Sequence, residues 1–205
     1  MSRQQLLELY GDRVAVQALP EDFAVVRREA VWFEDGRLIL GEYGEGARIA
    51  CLTAQSCIMS DHYQRMAGFK HIHAIQKYGS SGKFLVSTGE ARKVLDLWVH
   101  SDGKLRFERR LRRWLAGFTA AIEVDGVHYF GSDFSLRPNF IVTLDGAKYF
   151  FPQKAYKLHP SVFYSRFDRY LVSVNKQLDP SGGRRTLSVF DTKSRRFIFC
   201  DDLES

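Results

Sequence analysis

Four Asp-Gly pairs, each set between two short apolar runs, constrain this chain more than any other feature. They stand at Asp35-Gly36, Asp102-Gly103, Asp125-Gly126 and Asp145-Gly146. A two-residue hairpin turn needs positive φ at both central positions, and Asp-Gly tolerates it well. A fifth, looser turn is expected over residues 179–183 (DPSGG). The flanking runs are strand-like: they alternate, they are short, and they are rich in aromatic and β-branched residues. The 16 Phe and 9 Tyr in 205 residues fit the pleated, half-buried surface of a sheet.

The turns divide the chain into similar units of about 45 residues, the period of a four-stranded propeller blade. The boundaries fall at about 12–69, 70–113, 114–158 and 159–204. One such sheet cannot bury both of its faces, so neighbouring units must stack on it. Residues 2–10 (SRQQLLELY) carry apolar side chains at helical spacing before Gly11, which predicts a short N-terminal helix over 1–11. Residues 57–69 (CIMSDHYQRMAGF) break the strand pattern and read as a surface loop, a helical insertion or a degenerate strand. The expectation is one all-β domain over 1–205, a β-propeller-like array of about four blades. A sandwich or ordinary barrel uses similar strands and is the structural rival.

Composition narrows the chemistry. The net charge of +6 permits an anionic partner, whether an acidic glycan, a nucleic acid or a lipid surface. Three cysteines, Cys51, Cys57 and Cys200, match no zinc spacing and make no disulfide framework, which suits a reducing, cytoplasmic setting. No apolar run reaches membrane-spanning length, and the first residues show no signal-peptide pattern. No P-loop, dinucleotide fingerprint, HExxH or GxSxG occurs, which disfavours nucleotide-dependent and serine-hydrolase chemistry.

Several residues could carry a site. His71 and His73 lie two apart on a strand and share a face, so they could bind a divalent cation or share a proton. Glu42, Glu90 and Asp133 each follow a strand beside Gly or Ser. Strand ends of successive blades meet at one mouth of a propeller, so these carboxylates could act as a general acid and base or hold a metal. They could equally cap turns. Arg48, Arg92 and Arg137 lie near the same strand ends, and a guanidinium fork matches a carboxylate. The run 106–114 (RFERRLRRW) places Arg109, Arg110, Arg112 and Arg113 beside Trp114. It could grip phosphates, or protect a blade edge with charge, which suits it better.

Four segments in order, Gly41-Glu42-Tyr43-Gly44, His71-Ile72-His73, Ser87-Thr88-Gly89-Glu90 and Gly131-Ser132-Asp133 with Asn139, resemble sialidase-like or exo-α-sialidase-type propeller proteins of bacteria. The similarity spans residues 31–151. Residues 100–107 (HSDGKLRF) resemble a degenerate Asp-box, a structural hairpin of that family, with Ser101, Asp102 and Gly103 contiguous. The resemblance implies binding, with hydrolysis as its extension, of a glycan-type ligand at the channel mouth. Glu42, Glu90 and Asp133 would then be acid/base groups, and His71, His73, Arg137 and Asn139 would contact ligand. Fold alone does not set function, so a non-enzymatic interaction scaffold and a basic nucleic-acid or anionic-polymer binder stand beside this reading. An open blade edge must be closed by the N-terminal segment or by a second subunit, which makes a homo-oligomer an expectation.

Overall fold

The computed structural model describes residues 19–24, 26–79, 82–89, 92–113, 118–132, 134, 138–155, 159–176, 183 and 185–203, with the side chains of 112–113, 159–165 and 176 excepted. The N-terminal helix expected over 1–11 and most of the turn at 179–183 lie outside the described residues.

The strands form four antiparallel four-stranded meanders, each in chain order. The first sheet holds β1 (Val26–Glu34), β2 (Arg37–Glu42), β3 (Ile49–Leu52) and β4 (Cys57–Ser60). The second holds β5 (His71–Lys77), β6 (Lys83–Gly89), β7 (Val94–Ser101) and β8 (Lys104–Arg113). The third holds β9 (Phe118–Val124), β10 (Val127–Ser132), β11 (Phe140–Thr143) and β12 (Lys148–Phe150). The fourth holds β13 (His159–Phe167), β14 (Tyr170–Lys176), β15 (Arg185–Asp191) and β16 (Arg196–Asp202). No helix occurs among the described residues.

Three Asp-Gly pairs make the tight turns their chemistry demands. Asp35 and Gly36 have φ of 49° and 70°, Asp102 and Gly103 of 51° and 64°, and Asp125 and Gly126 of 51° and 78°. Asp145-Gly146 sits in a wider turn, where the Asp145 carboxylate accepts hydrogen bonds from the Thr143 hydroxyl and the Ala147 N–H. The degenerate Asp-box at 101–103 is an ordinary hairpin closed by the Ser101–Lys104 pair.

The sheets pack face to face through alternate residues. Ile39 and Cys51 of the first sheet meet Ile72, Phe84 and Trp98 of the second. Leu85, Leu95 and Leu97 of the second meet Phe118, Phe130 and Phe140 of the third. Val124, Tyr129 and Ile141 of the third meet Leu171 and Phe190 of the fourth. Each fully buried Leu or Phe stabilises by about 1.5–3 kcal/mol relative to exposure, so these three seams bind the array together. The first strands are innermost: β1 touches β5, β5 touches β9, and β9 touches β13. Gly41 marks the tightest point of the first seam, because a Cβ there would stand 2.4 Å from Ile72 Cγ2.

The segment 57–69 departs from the surface-loop reading. Its first four residues are β4, and the turn that follows buries Tyr63 completely.

Candidate functional site

The pairing of each first strand with its second strand is broken near one end. Extra residues enter between Val26 and Val31 of β1, between Ile72 and Ala74 of β5, and between Pro160 and Tyr164 of β13. In the third sheet the pairing of β9 and β10 slips between Gly131 and Ser132, leaving Thr119 as the extra residue. Bulges of this kind bend a strand, re-aim a side chain, and recur beside binding sites. They all lie at the end away from the first hairpin turns, so each blade presents irregular backbone at the same mouth.

His73 is the bulge residue of the second sheet. Its imidazole is buried, and among the described residues neither ring nitrogen has a hydrogen-bond partner. Thr119, its counterpart in the third sheet, is also buried with an unpartnered hydroxyl. Buried polar atoms rarely go unpaired, so these two, like others spread over the four sheets, call for an outside partner such as water.

Tyr43 stacks on His71 with ring centroids 4.4 Å apart and lies 5.8 Å from His73, and the two imidazoles are near-parallel at 6.3 Å. The Arg27 guanidinium, from the bulge of β1, sits 5.1 Å above the Tyr43 ring. Burial, then Arg27, His71 and Lys93, push the His73 pKa down to about 3, so the ring is neutral at ordinary pH. Lys93 itself lies 6.0 Å from the Phe134 ring centroid. The result is a half-exposed mouth lined with aromatic faces, with Lys93 and an Arg27 that also faces the Glu29 carboxylate at 3.8 Å, and a neutral imidazole behind them.

Glu42 takes no part in that mouth. The Arg48 Nε and Nη2 donate to its two carboxylate oxygens at 3.0 and 2.8 Å, and the N–H groups of Ala24 and Arg48 donate at 2.9 and 3.0 Å. Burial works against the carboxylate's charge, yet these four hydrogen bonds outweigh it and hold its pKa below the usual value. Arg48 is completed by Asp22, whose carboxylate lies 2.8 Å from Nη1.

The same latch recurs in the next two blades. Thr88 Oγ1 accepts from the Val94 N–H, and Ser132 Oγ accepts from the Phe140 N–H, as Glu42 accepts from the Arg48 N–H. In each blade a polar side chain at the end of the second strand ties down the start of the third. Asn139 belongs to this device: its Oδ1 accepts from the Ser132 hydroxyl and the Phe134 N–H, and its Nδ2 donates to the Phe134 carbonyl. The ordered motifs of the sequence are therefore, in large part, repeated loop anchors.

Glu90, Asp133 and Arg137 lie outside the described residues. Arg92 lies 5.8 Å from the Phe69 ring centroid. Among the described residues, no group of three or more His, Cys, Asp or Glu is placed to hold a metal ion.

Sequence reasoning missed a second polar centre. Asp96, fully buried in β7, accepts from Arg110 Nε and Nη2 at 2.8 and 3.0 Å and from the Tyr63 hydroxyl at 3.0 Å. The Trp98 Nε1–H completes it, donating to the Tyr63 oxygen at 3.0 Å. Arg110, counted toward a phosphate-binding run, is thus committed to an interior carboxylate, while Arg109 stays exposed on the outermost strand. The signal was a polar residue inside an otherwise apolar strand, the Asp of VLDLWVH.

No protein-family model matches the chain, and no curated protein matches it. Solved structures do. A hydrazine synthase of Kuenenia stuttgartiensis aligns with TM-score 0.62 at 10% identity, over 91% of this chain and 53% of its own. The β-propeller domain of Cps50 (Swd1) from Myceliophteria thermophila aligns with TM-score 0.53 at 14% identity, over 91% and 61%. The computationally designed Ika8 protein aligns with TM-score 0.50 at 11% identity, over 83% and 48%. The chain is therefore an all-β protein of propeller-like architecture. It spans about half the length of these matches, and at such identities the likeness extends to the fold alone. No helix of the described residues is long and apolar enough to cross a membrane.

Proposed function

We propose that this chain is a propeller-type binding protein that takes an anionic, glycan-type ligand at the mouth lined by Tyr43, His71 and His73. The observation that carries the reading is the stack of Tyr43 on His71, capped by Arg27 and backed by the unpartnered nitrogens of His73. Aromatic faces suit a sugar ring, because they combine a large apolar surface with a polar edge. Arg27 and Lys93 supply the positive charge that a uronate or sialate carboxylate needs. The bulged backbone opens the strand ends to a ligand.

Binding is favoured over hydrolysis. Glycoside hydrolysis uses two carboxyl groups flanking the scissile bond. Glu42, the candidate carboxylate among the described residues, has both oxygens engaged in the latch.

The test is calorimetric titration of the chain with acidic oligosaccharides, oligogalacturonate and sialyllactose, against their neutral counterparts. Saturable binding of an acidic member, weakened about tenfold by Tyr43→Ala, corresponds to the loss of about 1.4 kcal/mol of contact. Equal heats for acidic and neutral sugars, or an unchanged affinity in Tyr43→Ala, would sink the reading.

A further inference from the structure

The stacking of blades inside the chain repeats one interface three times, and each end of the array presents one half of that interface. In the third sheet, Val124 ends the first strand, pairs with Val127, and is buried against the fourth sheet at 1% exposure. Phe167 holds the equivalent place in the fourth sheet, ending β13 and pairing with Tyr170, yet it is 74% exposed. The same face carries half-buried Val172, Leu187 and Val189, and Phe199 at 47% exposure opposite Val189. At the other end, the outward face of the first sheet shows Phe33 at 69% exposure, with Val31 and Met59 beside it. Among the described residues, Leu19 and Phe23 pack against Leu40 and Leu52 on that face, and Phe33 at the hairpin end is exposed. Among the described residues, the first and fourth sheets share no seam comparable to the three inner ones.

We propose that two copies of this chain close into one eight-blade ring, the fourth sheet of each docking on the first sheet of the other. The occupant follows from continuity with the existing seams: the face that waits on the fourth sheet is of the kind that the second sheet accepts from the first, and the third from the second. A head-to-tail contact closes when the rotation between units completes a circle, and otherwise gives an open fibre. This chain aligns with 48%, 53% and 61% of the three solved structures, so each of them is longer than a single copy. Phe33, Phe167 and Phe199 alone offer about 400 Å² at one junction, at about 200 Å² for a whole aromatic side chain. Two junctions, with Val31 and Met59 added, reach the roughly 1,000 Å² that a specific interface requires.

The test is the mass of the full chain in solution, by light scattering or sedimentation across the micromolar range. The expected result is a single species of twice the 23.6 kDa chain mass. Phe167→Asp and Phe33→Asp, at opposite ends, should each convert it to monomer with an unchanged circular dichroism spectrum. Should Phe33→Asp fail to fold, Val31→Lys on the same face takes its place. A wild-type monomer, as expected if blades of another sequence complete the ring, overturns the proposal. So does a ladder of larger species. A dimer abolished by only one of the two end substitutions is a same-face pair, and overturns it as well.

Discussion

The imidazole of His73 lies directly over Gly89, so closely that a Cβ on Gly89 would stand 1.9 Å from Cε1 and 2.0 Å from Nε2. Glycine is required there by the ring, since its backbone angle is an ordinary one.

Gly89→Ala should therefore act through His73. Overpacking a rigid interior costs about 1–3 kcal/mol, and urea denaturation should show a loss of that order. Combining it with His73→Ala should restore most of the loss. A double mutant as unstable as the sum of the two singles would show that the clash lies elsewhere.

His73 also sets a pH dependence. Its pKa is depressed to about 3 in the folded chain, against an ordinary value of 6.5. Between those values the unfolded chain binds a proton that the folded chain refuses, so stability falls as pH drops from about 6.5 toward 3. His73→Leu should flatten that part of the curve. An identical slope in the variant would assign the effect to other groups.

Glu42 also has a lowered pKa, here because its charged form is the favoured one, and it acts in the same direction on stability. Its folded pKa lies below the usual 4.5, so its contribution is present above pH 4.5 and is lost as acid protonates it. Arg48→Met strands the buried carboxylate, and breaking one partner of such a pair costs about 3–5 kcal/mol. Glu42→Gln with Arg48→Met should recover part of this. The comparison is made by chemical denaturation at neutral pH and at pH 4.

The Tyr63 hydroxyl joins one donor, the Trp98 indole, to one acceptor, the Asp96 carboxylate, both in the second sheet. Tyr63→Phe leaves the Trp98 Nε1–H without its acceptor and removes a hydrogen bond from Asp96. An unsatisfied buried group costs about 1–3 kcal/mol, readable as a lowered midpoint in tryptophan-detected unfolding. An unchanged midpoint would mean that water replaces the hydroxyl.

The strand-and-turn plan was legible because it is local. Asp35-Gly36, Asp102-Gly103 and Asp125-Gly126 announce their turns in two residues, and they form them. The turn at Asp168-Arg169 was not legible, since it lacks glycine, although Asp168 adopts φ of 53°. The candidate site was legible only in part. Sequence put His71 and His73 on one face of a strand, and the structure stacks both rings with Tyr43. Sequence offered turn capping as one reading of Glu42 and named Arg48 without pairing the two, and nothing in the spacing points to Phe134 as the partner of Asn139. Tyr63 and Asp96 lie 33 residues apart and meet only when the sheets are built.

The latches at Glu42, Thr88 and Ser132 differ in chemistry and in reach, closing over six, six and eight positions of chain. Each pins its loop at the base, within its own blade. In the first loop the anchor also dictates composition, since a Cβ on Gly46 would stand 2.3 Å from Glu42 Oε2. The rim is thus a row of loops, each fastened to its own blade by a fitting of its own chemistry.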